Sequence, residues 1–281
     1  MIDETVAEIR EMRSHSSSAV AVKAATALRE LLEREYVSAD AFDRELEDNA
    51  GALRRANPSH ASLHTAMRSI CEAVVGEADT PEAAKEHLQD AIEAAIQRVE
   101  AGKRQAAAHA ADTFADDETI LTHDYSSTVL EAIETACSEG THLTAYVTEA
   151  RPRYLGRKTA RTLAGIDRVD PHLLVDSAAG HVMSEVDRVV VGMDCIVEGT
   201  LYNRIGTYPI AAVAEREDVP VTVVGSSTKV IDEFHFENEF RSSSEVMREP
   251  VAGIEIENPA YDATPVELVD TLITDEGVGE P

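Results

Sequence analysis

Most of the features that would assign this chain to a specialised class are missing. Its three cysteines, Cys71, Cys137 and Cys195, stand at irregular spacing, form no CxxC pair and follow no signal-peptide pattern. No disulfide framework is expected, and a reducing cytoplasm is the expected setting. No stretch approaches about 18 uninterrupted apolar residues, so no membrane-spanning helix and no membrane partner are expected. Neither GxGxxG after the first strand pattern nor GxxxxGK[ST] occurs, which removes the usual support for dinucleotide or P-loop triphosphate binding. No cofactor and no metal site are expected. Internal repeats and low-complexity segments are likewise absent, and lysine is scarce, with five against twenty arginines.

What the chain has in excess is acid. Asp and Glu number 53 against 25 Lys and Arg, a formal charge of -28 spread over both halves of 281 residues. Such a surface suits concentrated salt, where the Debye length shrinks to ~3 Å at 1 M and mutual repulsion fades. A halophile's cytoplasm is the expected habitat, with an ordinary acidic protein as the alternative. Direct contact with nucleic acid is disfavoured, whereas a local gathering of arginines would still select small anions.

Up to about residue 112 the apolar positions recur three and four apart and predict helices over 4–12, 19–35, 39–55, 59–75 and 80–111. Breaks fall at His15-Ser16-Ser17-Ser18, Asn57-Pro58-Ser59 and Ala78-Asp79-Thr80-Pro81, where Ser and Thr cap helices and Pro fits a first turn. The last helix is long, rich in alanine and suited to connect domains. From 113 to 281 the pattern changes. Short apolar runs at 119–122, 142–148, 172–175, 188–192, 219–224 and 270–274 alternate with helical stretches over 127–139, 158–164, 207–216 and 264–268. The expected fold class is α/β: an all-helical N-terminal domain over 1–112 followed by a Rossmann-like parallel-sheet domain over 113–281.

If that sheet is parallel, one edge collects the polar groups that follow each strand: His123 and Asp124, Glu149, Arg151 and Arg153, Asp176, Asp194, then Asn203, Arg204 and Thr207, and Ser226 to Lys229. Carboxylates mixed with guanidiniums suit a phosphorylated polyol, because arginine forks match phosphate oxygens and carboxylates move protons. The Gly206-Thr207 amides, opening a helix, would hold a phosphate. Plainer readings stand beside these. Asp176 reads equally as a helix cap, His123 as a core histidine satisfied by backbone, and Arg151-Pro152-Arg153 as a solvated turn. Cys195 reads as a packed thiol, and Ser16-Ser17-Ser18 as a capping break. Asp194, after three valines, is costly unless paired or functional, which favours function.

Five segments then carry a resemblance. Ile120-Leu121-Thr122-His123 is similar to an ILTH segment, Thr148-Glu149-Ala150-Arg151-Pro152 with Gly156 to TExRPxxxG, and Leu174 to Ala179 with Met183 to VDSAAxxxM. Asn203 to Thr207 is similar to N[KR]IGT, and Asn258-Pro259-Ala260-Tyr261-Asp262 with Thr264-Pro265 to NPxFDxTP. In this order they resemble the translation initiation factor 2B alpha/beta/delta subunit family, of archaeal type, which shares a superfamily with ribose-1,5-bisphosphate isomerase and methylthioribose-1-phosphate isomerase. In the isomerases of that group a cysteine follows ILTH and shuttles protons with the aspartate of a GAD segment. Asp194 matches that aspartate, and Asp124 stands at the cysteine. Further departures are a start that keeps Arg13 without the glycines of the isomerases' phosphate loop, Glu198-Gly199 in place of Asn-Gly, and Gly180 in place of an arginine.

The leading expectation from the sequence is therefore a non-catalytic, initiation factor 2B-like regulator that binds a sugar phosphate or nucleotide. The resemblance implies a homodimer or larger homo-oligomer and contact with translation initiation factor 2. Ligand binding is expected at Arg13, His123, Arg151, Asp176, Asn203, Arg204, Gly206 and Thr207. The alternative is a ribose-1,5-bisphosphate isomerase with Asp194 and Asp124 as its catalytic pair.

Overall fold

Caps and turns in the sequence become visible as element boundaries in the computed structural model, which describes residues 1–10, 17–231, 235–249 and 251–281. The first compact unit, Met1–Gly102, holds α1 (Ile2–Arg10), α2 (Ser17–Ala27), α3 (Ala39–Ala56), α4 (Ala61–Val74) and most of α5 (Pro81–Ala111). Ser38 begins α3 by accepting a hydrogen bond from Ala41 N at 3.2 Å. Thr80 does the same for α5 with Ala83 N at 3.3 Å, and Pro81 occupies the first turn, where its missing N–H costs nothing. The apolar stripes of these helices bury Leu28, Leu31, Phe42, Leu46, Leu53, Leu63, Met67 and Ile92 completely. The helix expected over 19–35 stops at Ala27 and continues as a 3-10 turn over Leu28–Glu33.

The second unit, Lys103–Pro281, begins within α5 and alternates strands with helices. In chain order these are β1 (Glu118–His123), α6 (Ser127–Ser138), β2 (Leu143–Thr148), α7 (Leu155–Leu163), β3 (Val169–Leu174), α8 (Ala179–Val182), β4 (Arg188–Gly192), β5 (Cys195–Val197), β6 (Thr200–Arg204), α9 (Thr207–Arg216), β7 (Val221–Val224), α10 (Ser243–Val246), β8 (Tyr261–Pro265), β9 (Thr271–Thr274) and β10 (Gly277–Gly279). The main sheet has the order β10-β9-β7-β4-β1-β2-β3 and is parallel except for the β10 edge. Winding runs outward from β1 through β2 to β3, then reverses through β4. The topological switch point, where such sheets bind ligands, therefore lies between β1 and β4.

Both faces of the central strands β1, β4 and β7 are largely buried, which is why these read as continuous apolar runs. Val189 and Val191 pack with Ile210 and Ala214 of α9 on one face. Val190 packs with Val129 and Ile133 of α6 on the other. A second, antiparallel sheet of order β5-β6-β8 carries the chain away from β4 and back towards α9, with β5 and β6 joined through Glu198-Gly199. The helix expected over 264–268 is corrected: Tyr261–Pro265 is a strand, and only a 3-10 turn follows at Val266–Leu268. Pairing of Asn203 with Asp262 and Leu201 with Thr264 overrides the local apolar spacing there. Among the described residues no helix is long and apolar enough to cross a membrane.

Candidate functional site

The strands on either side of the switch point each deliver a carboxylate. β1 ends at His123 and the chain turns through Asp124, whose φ of 61° is a left-handed conformation that Asp tolerates better than most residues. Thr159 fixes this turn by donating its hydroxyl to the Asp124 carbonyl at 2.6 Å. β4 ends at Gly192, and Asp194 follows with its amide donated to the Tyr202 carbonyl at 3.1 Å. From the end of β6, Arg204 reaches both: its Nε lies 3.4 Å from Asp124 Oδ2 and 3.6 Å from Asp194 Oδ2. All three side chains are nearly buried. Burial opposes the charge of Arg204, yet Tyr261, Asp194, Asp124 and Glu239 hold its guanidinium above the usual range, and its Cζ lies 4.8 Å from the centre of the Tyr261 ring.

Asp124 and Arg204 line a small, partly open hollow with about 30 Å³ of free volume. Its walls bring in Arg151 and Arg153 after β2, and Arg241, Asn258 and Pro259 from the chain before β8. Four guanidiniums thus line one small hollow in a chain where acid outnumbers base two to one. Burial, with Arg241 alongside, holds Arg153 below its usual range. Behind Asp194 lies Lys229, buried, with Nζ donating to the Met193 carbonyl at 2.8 Å. Burial draws this ammonium down against the pull of Asp194 and Cys195. The Cys195 thiol is fully buried and pushed well up by that burial and by Asp194, which fits a packed thiol rather than a nucleophile.

The remaining expected ligand residues hold the site up from behind. His123 Nε2 faces the Ile205 carbonyl at 2.8 Å, which can only accept, so Nε2 carries the proton and Nδ1 accepts from Thr148 Oγ1 at 2.6 Å. With both ring nitrogens engaged, His123 is the core histidine of the plainer reading and pins the turn after β6. Asp176 is neither a helix cap nor part of the cavity wall. Its two oxygens accept from Ala150 N and Arg151 N, each at 2.7 Å, and so hold the turn that aims Arg151.

Asn203 donates to Thr207 Oγ1 at 3.1 Å, and that hydroxyl donates to the Arg204 carbonyl at 2.7 Å. At the turn whose Gly206 and Thr207 amides are expected to hold a phosphate, the Gly206 amide is already engaged. Gly206 N and Tyr208 N donate to Asp262 Oδ2 at 2.7 and 3.0 Å, so the helix terminus already has its anion. Arg13 lies outside the described residues.

Sequence reasoning passed over Arg241 and the role of Asp262. Asp262 had a signal in NPxFDxTP. Lys229 stood among the strand-end groups, but Arg241 comes from irregular chain with no periodicity to mark it. Within the TExRPxxxG segment, Glu149 pairs with Arg157 at 2.5 Å, and a Cβ on Gly156 would fall 1.8 Å from the Thr148 carbonyl oxygen, which explains the glycine.

Fold and site together define a doubly wound α/β protein with an arginine-lined, carboxylate-bearing hollow at its switch point. The chain belongs to the initiation factor 2 subunit family, whose model matches residues 13–281. It is 32% identical to the ribose 1,5-bisphosphate isomerase of Methanocaldococcus jannaschii, over all of this chain and 92% of that one. To the ribose 1,5-bisphosphate isomerase of Haloferax volcanii it is 30% identical, over all of this chain and 89% of that one. A crystal structure of the Pyrococcus horikoshii translation initiation factor eIF-2B matches the fold with a TM-score of 0.87 at 26% identity, covering all of this chain and 97% of the other. The family thus holds both initiation factor subunits and sugar-phosphate isomerases.

Proposed function

We propose that this protein is an aldose–ketose isomerase of ribose 1,5-bisphosphate, with Asp194 and Asp124 as its proton-transfer pair. The observation that carries the reading is the convergence of these carboxylates on Arg204 at 3.6 and 3.4 Å, at the edge of an arginine-lined cavity. Converting the cyclic aldose to the ketose puts a proton on the ring oxygen as the ring opens, moves the proton on carbon 2 to carbon 1, and removes the proton of the 2-hydroxyl as the carbonyl forms. Nothing else is consumed. Two carboxyl groups on one arginine, one acting as acid and the other as base, supply both transfers. Arg204 balances their charge, and the outer arginines are suited to the phosphoryl groups. The full-length likeness to two isomerases supports this reading over the regulator that the sequence alone ranked first.

A second reading rests on one specific observation: Asp124 stands where the resemblance implies a thiol, and Arg204 engages both carboxylates. In it the second domain, residues 113–281, binds a phosphorylated ligand without turnover, and the protein contacts initiation factor 2. In either reading we place a homodimer or larger homo-oligomer, measurable by light scattering.

Incubation with ribose 1,5-bisphosphate in concentrated KCl, following ribulose 1,5-bisphosphate, separates the two. Turnover is expected, and Asp194→Asn should lower kcat/KM by about 100-fold or more while the fold is kept. Asp124→Cys, which restores the implied thiol, should keep or raise the rate. Ligand binding without turnover in the natural protein would overturn the isomerase in favour of the second reading.

A further inference from the structure

The cavity's guanidiniums are unequally satisfied. Arg204 has two carboxylates at 3.4 and 3.6 Å, and Arg241 has Glu239 at 3.6 Å beside Glu245 at 4.0 Å, whereas Arg153 Nε comes only to 3.9 Å from Glu245 Oε1. That last separation exceeds an N–H···O hydrogen bond. Arg153 Nη1 is buried with no hydrogen-bond partner among the described residues, an arrangement that ordinarily marks a place for another acceptor.

Glu245 belongs to α10, a single turn none of whose residues is buried. Its Oε2 accepts from Asn258 Nδ2 at 3.3 Å, and the next residue, Val246, offers its carbonyl to Arg151 Nη2 at 3.2 Å. One exposed turn therefore lays a carboxylate and a carbonyl over three cavity arginines. A turn with so little buried surface opens at low cost.

We propose that Glu245 is a resident anion occupying a phosphoryl subsite formed by Arg151, Arg153 and Arg241, and that a ligand's phosphoryl group enters by displacing Glu245 and the turn over 242–246. At 3.9 Å from Arg153 the Glu245 carboxylate gives one charge and no direct hydrogen bond to that guanidinium. A phosphoryl group brings up to two charges and three acceptor oxygens matched to guanidinium forks, one of which would meet the orphaned Nη1. The competing carboxylate makes the subsite selective, since a neutral or weakly charged ligand gains too little to lift it. The inference rests on the cavity being an anion site, not on turnover.

Calorimetric titration of the full chain with inorganic phosphate at fixed salt tests it, alongside Glu245→Gln. Glutamine keeps an acceptor for Asn258 and loses only the charge, so phosphate should bind about tenfold tighter. Arg153→Gln should weaken binding by about tenfold. In the natural protein, phosphate should speed hydrogen exchange at the amides of 243–247. Unchanged or weaker phosphate binding in Glu245→Gln, or unaltered exchange in the natural protein, would overturn the displacement. Failure of the isomerase assay leaves both measurements interpretable.

Discussion

Gly206 shows how little freedom single residues near the site have. It turns the chain from β6 into α9 with φ of +111°, and a Cβ there would lie 2.7 Å from both Cε1 and Nε2 of His123. That ring cannot move aside without losing Thr148 and the Ile205 carbonyl. Gly206→Ala should therefore cost about 2–4 kcal/mol, read as a fall in the urea midpoint. Glu30, in the first unit, makes a second residue-scale case. The Ile2 amide at 2.8 Å, then the terminal ammonium and Arg34, pull its carboxyl from 4.5 down to about 2. Because the folded value is depressed, the stabilisation is complete above about 4.5 and disappears as pH falls towards 2. Glu30→Gln should melt lower than the natural protein at neutral pH, and the gap in melting temperature should close over that acid window; a gap independent of pH would refute this account.

At the scale of elements, α9 depends on a residue from another sheet. Asp262 on β8 caps its first amides, so Asp262→Ala should cost about 1–2 kcal/mol in urea unfolding. It should also loosen Arg204, since β6 and β8 pair from Thr200 to Arg204. This dependence marks the limit of what the sequence could show. The buried parallel strands and capped helices were legible because burial on two faces leaves apolar runs and capping leaves Ser, Thr or Pro at fixed places. The apolar pattern marks β3 only over 172–175 instead of Val169–Leu174, because β3 is an exposed edge where Asp170, Pro171 and His172 break that pattern. Local spacing points partly to helix at Tyr261–Pro265, where cross-strand pairing decides for a strand. Asp124, Asp194 and Arg204 were legible as strand-end polar groups. Arg241 and Glu245 were not, since they meet the cavity only through the tertiary path of irregular chain.

For the whole molecule, the charge of -28 sets two effects of salt against each other. Surface carboxylates repel across distances comparable to the Debye length, about 10 Å at 0.1 M, and this repulsion weakens as that length falls to about 3 Å at 1 M. The pairs of Arg204 with Asp124 and Asp194 are shielded by burial and respond much less. Folding should therefore gain from salt overall, and the melting temperature should rise by about 5 °C or more between ~0.1 M and ~2 M KCl, followed by circular dichroism. Anion binding at the arginine cavity moves the other way, because added chloride screens the guanidiniums and competes for them. Phosphate affinity measured over the same series should fall while the melting temperature climbs. A melting temperature that is flat or falling with KCl would mean that the acidic surface is not repulsive enough to govern stability, and the expectation of a concentrated-salt habitat would lose its physical basis.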